Sequence, residues 1–289
     1  CRLFLARSLP FEAQIRKKLE ESGADTLFIH GQDRDKYRRY LEACLELGLL
    51  DRDLVMNEKG RILYTEANET LEDIFKDPRR GGIIKKAAGI VEEVLRFLFS
   101  AAEDERPFRE RLAGLLTNHH HVYTHSVNVC LYGVALAHFM GWNSTDLYEL
   151  GLGLLMHDVG KSWIPPSILE KPGALSPEEW EVVKQHPSWG VDILRGSGES
   201  IPRRSYQVVE QHHEKLDGSG YPHRLKAEEI HTFGRLAAVV DIYDAMTCTR
   251  SHRQALTPFE TLKKIGTEMA GQLDREILKS FILFLGSPG

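Results

Sequence analysis

The feature that most constrains this chain is an acid inside an apolar run. Asp241 sits in Ala237-Ala238-Val239-Val240-Asp241-Ile242. The run reads as one buried helix, and an isolated carboxylate is costly there. It needs a cation, and a metal ion is a strong one. The chain is rich in residues that would share such an ion. It carries 13 His against 4 Cys, and all His but His30 and His252 fall between His119 and His231. The Cys (1, 44, 130 and 248) form no C-x-x-C pair, so a zinc ribbon is not expected. Imidazole and carboxylate without thiolate suit Fe, Mn, Zn or Ni.

Composition narrows the class. At 289 residues the length suggests two domains of about 150 residues each. Hydrophobic residues are 42% and charged residues 27%, as in a globular protein. The net charge of -5 argues against a nucleic-acid polymer as partner. No apolar run is long enough to span a membrane, so no membrane partner is expected. Arg2 and Arg7 interrupt the first apolar stretch, which argues against a secretory signal. Unpaired Cys and the lack of a signal predict a cytoplasmic protein.

The pattern along the chain predicts a mainly α protein with a small α/β module at its amino end. Leu3-Phe4-Leu5 and Thr26 to His30 read as strands; Phe11 to Glu21 and Asp35 to Leu47 read as helices. Arg61-Ile62-Leu63-Tyr64 is a candidate third strand. The module is assigned to 1–66, a helical linker to 67–105 and the main helical domain to 106–289. The linker contains an apolar stripe of helical period from Ile83 to Phe99, which reads equally as a dimer or signalling helix or as a core-facing helix. The charged stretch 102–107 marks the boundary. Further helices are expected at Thr124 to Phe139, Asp146 to His157, Pro177 to Gln185, Tyr206 to His213, Phe233 to Met246 and Pro258 to Glu268. Ser144, Ser176 and Thr257 are read as start signals, with Pro at the first helical position after the last two.

The candidate ligands fall at helix ends. His157-Asp158 closes the apolar stretch Leu150 to Met156, and Lys161 lies one turn beyond. His125 opens a helix, with His121 four residues before it. His186 is read as ending a helix before Pro187, and His212-His213 follow Val208-Val209. A lone His-Asp pair at a helix C-terminus is usually a solvated end. Five imidazoles plus Asp158 and Asp241 instead make the ligand set of a dinuclear site.

The order His125, His157-Asp158, Lys161, His186, His212-His213, Asp241 resembles HD-domain phosphohydrolases of the HD-GYP subfamily. The string His212-His213-Glu214-Lys215-Leu216-Asp217-Gly218-Ser219-Gly220-Tyr221-Pro222 is similar to that subfamily's HHE-x-x-DGSGYP signature, with every fixed position filled. Ile164 to Leu169, Lys171-Pro172-Gly173 and Asp241 to Met246 also match. The resemblance covers roughly residues 119 to 265. It implies an all-helical HD bundle and a cyclic di-GMP phosphodiesterase yielding linear pGpG, GMP or both. Asp158 would bridge two ions. His125, His157 and Asp241 would hold one, and His186, His212 and His213 the other. The attacking group would be a metal-bridging hydroxide, with Lys161 offsetting charge on the phosphoryl oxygens.

Other expectations follow from the resemblance. Arg250 and Arg253 would reach substrate phosphates. Tyr221 would stack on a guanine, or the Gly220-Tyr221-Pro222 loop would brace the His212-His213 pair and meet GGDEF-type diguanylate cyclases. Some members carry Glu four residues before the first ligand His. Here that position is His121, so two ions are expected, Fe or Mn ahead of Zn or Ni, with a third weaker. A homodimer is expected. Competing readings are hydrolysis of another cyclic dinucleotide, such as cyclic GMP-AMP, and a non-catalytic dinucleotide- or cyclase-binding regulator.

Overall fold

The computed structural model describes residues 33–47, 52–99, 112, 115–116, 122–248 and 255–286. The chain divides into two compact units, 1–50 and 51–289. The described part of the first is helix α1, Arg34–Glu46. The expected strands at 3–5 and 26–30, the helix at 11–21 and the boundary at 102–107 lie outside the described residues, as do His121, Arg250 and Arg253.

The described part of the second unit is helical, with no β-strand. Its first helices are α2 (Arg52–Lys76) and α3 (Ile83–Phe99), followed by α4 (Val122–Phe139) and α5 (Ser144–Met156). A 3-10 turn, Val159–Trp163, leads to α6 (Pro166–Leu169), α7 (Pro177–Val183), α8 (His186–Gly196) and α9 (Arg203–Gln211). After a loop come α10 (Thr232–Thr247), α11 (Pro258–Glu268) and α12 (Arg275–Gly286).

Two expectations are corrected. Residues 61–64 are not a strand; they lie within α2. Leu63, Ala67, Leu71 and Ile74 recur at helical spacing and are buried on its core face. Residues 66 and 67 both lie in this helix. The apolar faces of α2 and α3 enter the same core as α4, α5 and α10. Glu199, in the loop after α8, accepts from the backbone amides of Gly82, Ile84 and Lys85 at 3.0–3.2 Å. It thereby satisfies the open amino end of α3. Finally, His186 does not end a helix. It opens α8, with Pro187 in the first turn.

Local chemistry explains the other ends. Ser176 and Thr257 each make a complete capping box, with Glu179 and Glu260. Asn143, one residue before the expected Ser144, caps α5 by accepting from the Asp146 amide. Helix α5 crosses α9 closely: a Cβ on Gly153 would stand 2.6 Å from Val208 and 2.8 Å from the Ser205 carbonyl. Arg204 joins the two helices through Asp146 and Glu149. This crossing sets the end of α5, with His157, beside the end of α9, with His212.

Candidate metal centre

Five chain segments converge on Asp158. His125 comes from the first turn of α4, His157-Asp158 from the end of α5, His186 from the start of α8, His212-His213 from the end of α9, and Asp241 from within α10. His125, His157, Asp158, His186, His212 and Asp241 are buried, while the His213 side chain keeps 23% exposure. The approach of α8 depends on Gly160. A Cβ there would stand 1.9 Å from the His186 carbonyl oxygen.

The two Asp158 oxygens face different imidazoles. Oδ2 lies 3.4 Å from His157 Nε2 and 3.9 Å from His125 Nε2. Oδ1 lies 3.3 Å from His186 Nε2 and 3.9 Å from His212 Nε2. Two groups result, His125-His157-Asp158 and Asp158-His186-His212-His213, with donor atoms in each within 4.8 Å of one another. Asp241 borders both: Oδ1 is 2.9 Å from His125 Nε2 and Oδ2 is 3.6 Å from His213 Nδ1.

The imidazoles are aimed from behind. Nδ1 of His157, His186 and His212 donates to the carbonyls of Leu154, Val183 and Val209 at 2.7, 2.8 and 2.9 Å. Each Nε2 is thus left with its lone pair toward the centre. His125 uses a carboxylate instead, Asp244 Oδ2 at 2.7 Å. Asp244 is steadied by Asn128, which accepts in turn from the Tyr64 hydroxyl of α2, each bond 3.0 Å.

Burial and charge set the ionisation. Burial works against charging His125, but Asp241 and Asp244 outweigh it and raise its pKa to about 9. Burial opposes charge on Asp158 too, yet Lys161 and the imidazoles hold its pKa well below the usual range. The same opposition holds for Asp241, kept low mainly by His125. Burial pushes His186, His212 and His213 down, and for His212 the neighbouring imidazoles add to it. The ionised carboxylates and the neutral His186, His212 and His213 are in the states that bind a metal, whereas His125 would have to give up its proton to one.

The residues fit a divalent ion on the structure's own terms. Nε2 of His157 and Oδ1 of Asp158 are buried and have no hydrogen-bond partner. Such orphaned acceptors are expensive unless something binds them. Their geometry matches a His/Asp cluster that could hold a metal.

Of the residues expected from sequence, His125, His157, Asp158, His186, His212, His213 and Asp241 come together. Lys161 joins them, its Nζ 2.5 Å from Asp158 Oδ2. The Tyr221 ring lies 4.7 Å from His213 and 6.3 Å from His186. Asp244, Asn128, Tyr64 and Glu214 were not expected to serve the site. Glu214 is buried and accepts from the amides of His223 at 2.6 Å and Leu225 at 3.0 Å, which holds the Gly220-Tyr221-Pro222 loop. Asp244 was findable: it lies one helical turn beyond Asp241, on the same face.

Comparison with known proteins follows the same lines. The HD domain family model matches residues 109–277. A cyclic di-GMP phosphodiesterase of Pseudomonas aeruginosa is 32% identical over 228 residues, 78% of this chain and 53% of its own length. One of Thermotoga maritima is 28% identical over 273 residues, 94% of this chain and 68% of its own. The 3'3'-cGAMP-specific phosphodiesterase 2 of Vibrio cholerae is 39% identical over 133 residues, 46% of this chain and 26% of its own. The chain thus spans about half the length of the first of these relatives. Among solved structures, Bd1817, a HDG"Y"P protein from Bdellovibrio bacteriovorus, superposes with a TM-score of 0.67 at 19% identity, covering 98% of this chain and 90% of that one. That likeness is one of fold.

Proposed function

The chain belongs to the HD domain family, and from that membership we propose that it is a metal-dependent phosphodiesterase hydrolysing cyclic di-GMP. One observation carries the reading: a single buried carboxylate, Asp158, turns one oxygen to each of two imidazole groups. That arrangement suits two divalent ions sharing a bridge, Fe or Mn ahead of Zn or Ni. A third ion at His121 is weaker in this reading. Ions bound there supply Lewis acidity to a phosphodiester and acidify a water for attack.

The chain's own residues do the rest. His157, His186 and His212 are pre-aimed by carbonyls and need no rearrangement to ligate. Asp241 adds negative charge to both groups. Lys161, already drawn to Asp158, lies where it offsets charge on the phosphoryl oxygens. Arg250, Arg253 and Tyr221 are assigned to the substrate. The products are linear pGpG, GMP or both.

Homodimer formation, a sensory or dimerising role for the amino-terminal residues, and docking of GGDEF cyclases on the Gly220-Tyr221-Pro222 loop belong to the same proposal. A second reading, 3'3'-cGAMP as substrate, is favoured by the Vibrio cholerae relative. Product analysis with both cyclic dinucleotides, Fe(II) or Mn(II) and no oxygen separates the two. The test of the mechanism is Asp158→Ala. Turnover and bound metal should both be lost, and unchanged turnover would defeat the proposal.

A further inference from the structure

Beside the centre runs a groove of about 510 Å³, within the range of small-molecule sites, roughly 300–1,000 Å³. Its walls are two short segments, 180–185 and 215–224. Each is continuous with a residue of the centre: Gln185 precedes His186, and Lys215 follows His213 by two residues. Tyr221 belongs to both places. Its ring lies 4.7 Å from His213 on one side and 6.1 Å from Trp180, edge to face, on the other. The Tyr221 ring thus links the groove to the centre.

The lining has a definite chemistry. It presents Lys184, Lys215 and Arg224 against a single carboxylate, Glu181. Glu181 is committed to Lys184 at 2.6 Å. Among the described residues, Lys215 and Arg224 make no ion pair within 4 Å, and Lys215 feels the exposed Asp217 carboxylate only at longer range. Trp180 keeps 44% of its surface exposed on the groove side of α7. An exposed indole next to unpaired cations suits a planar base joined to a phosphate.

We infer that this groove is the subsite for the second nucleotide of the substrate, with its base against Trp180 and its phosphate near Lys215 and Arg224. The inference rests on the phosphodiesterase reading and deepens it. The centre would accept any phosphodiester, whereas the groove would select one that bears a nucleotide.

The test compares wild type with Trp180→Ala and Lys215→Ala in the full, metal-loaded chain. For cyclic di-GMP, KM and the Kd from calorimetry should each rise about tenfold, as loss of one stacked base predicts. The change in kcat should be much smaller. Preference for cyclic di-GMP over bis(4-nitrophenyl) phosphate, as a ratio of kcat/KM, should fall by a similar factor. Trp180→Phe should restore most of the loss and guards against misfolding of the Ala variant. A Kd within twofold of wild type in both variants overturns the inference and leaves the groove to a protein partner. Failure of the phosphodiesterase reading looks different: wild type itself turns over no cyclic dinucleotide. Calorimetry still decides the groove in that case, and absence of dinucleotide binding to wild type overturns it.

Discussion

His125 and His212 serve one centre from opposite electrostatic settings. His125 has a carboxylate on each ring nitrogen, Asp244 at 2.7 Å and Asp241 at 2.9 Å. His212 has a carbonyl behind it and another imidazole, His186, 3.1 Å in front. Burial dominates both surroundings, yet one pKa goes up and the other down. The difference lies in what the low-dielectric pocket contains. Where carboxylates sit directly on the ring nitrogens the proton is held; where imidazoles crowd in and the nearest carboxylate stands 3.9 Å off it is expelled. The group around His125 thus has Asp244 in addition to the Asp158 and Asp241 that both groups share, so the two should bind metal with unequal strength.

The largest effect that sharpens this contrast is His212→Ala. It should remove about one metal equivalent and lower turnover by more than ~100-fold, beyond what loss of an outer partner costs. Metal analysis alongside the assay checks it; loss of both equivalents would mean that the two groups act as one. Next comes Asp244→Asn. Affinity at the His125 group should fall about 10- to 100-fold, with the other group unchanged, in competition with a chelator.

Acidity gives a third way to break the contrast. In the metal-free protein burial holds the pKa values of His186, His212 and His213 below that of the unfolded chain, which takes up protons below about pH 6.5. They therefore cost stability as pH falls. Asp158 and Asp241, held low in the fold, add a loss of the same sign in more acid solution. His125 acts in the other sense: its contribution is full below about pH 6.5 and fades as pH rises through about 9. Tm of chelator-treated protein should peak near pH 6.5 and fall on both sides. A flat alkaline limb would remove the special status of His125. The smallest effect is Tyr64→Phe, which deletes the last bond of the Tyr64-Asn128-Asp244 chain. It should weaken metal at the His125 group by about fivefold, the worth of one hydrogen bond of ~1 kcal/mol.

What was legible in the sequence was local. The capping boxes at Ser176 and Thr257 depend on residues three apart, and both were read correctly. Pro187 carried a readable signal that was misread: after His186 it opens a helix, since proline suits a first turn. Arg61 to Tyr64 resembled a strand only while the window stayed short. Read on to Ile74, the spacing of Leu63, Ala67 and Leu71 is helical. The Tyr64 hydroxyl bond to Asn128 spans 64 residues, and no local pattern encodes it. The same limit hid the groove, whose walls meet only after α7 and the loop following α9 have packed.

Gly160 has a consequence for sequence variation. With the His186 carbonyl 1.9 Å from where a Cβ would stand, the first methyl group added at 160 must push α8 outward. His186 would move with it, away from Asp158. A library randomised at this codon and selected for bound metal should therefore return glycine almost alone, and position 160 becomes a gauge of whether a related chain keeps its second imidazole group in register with the first.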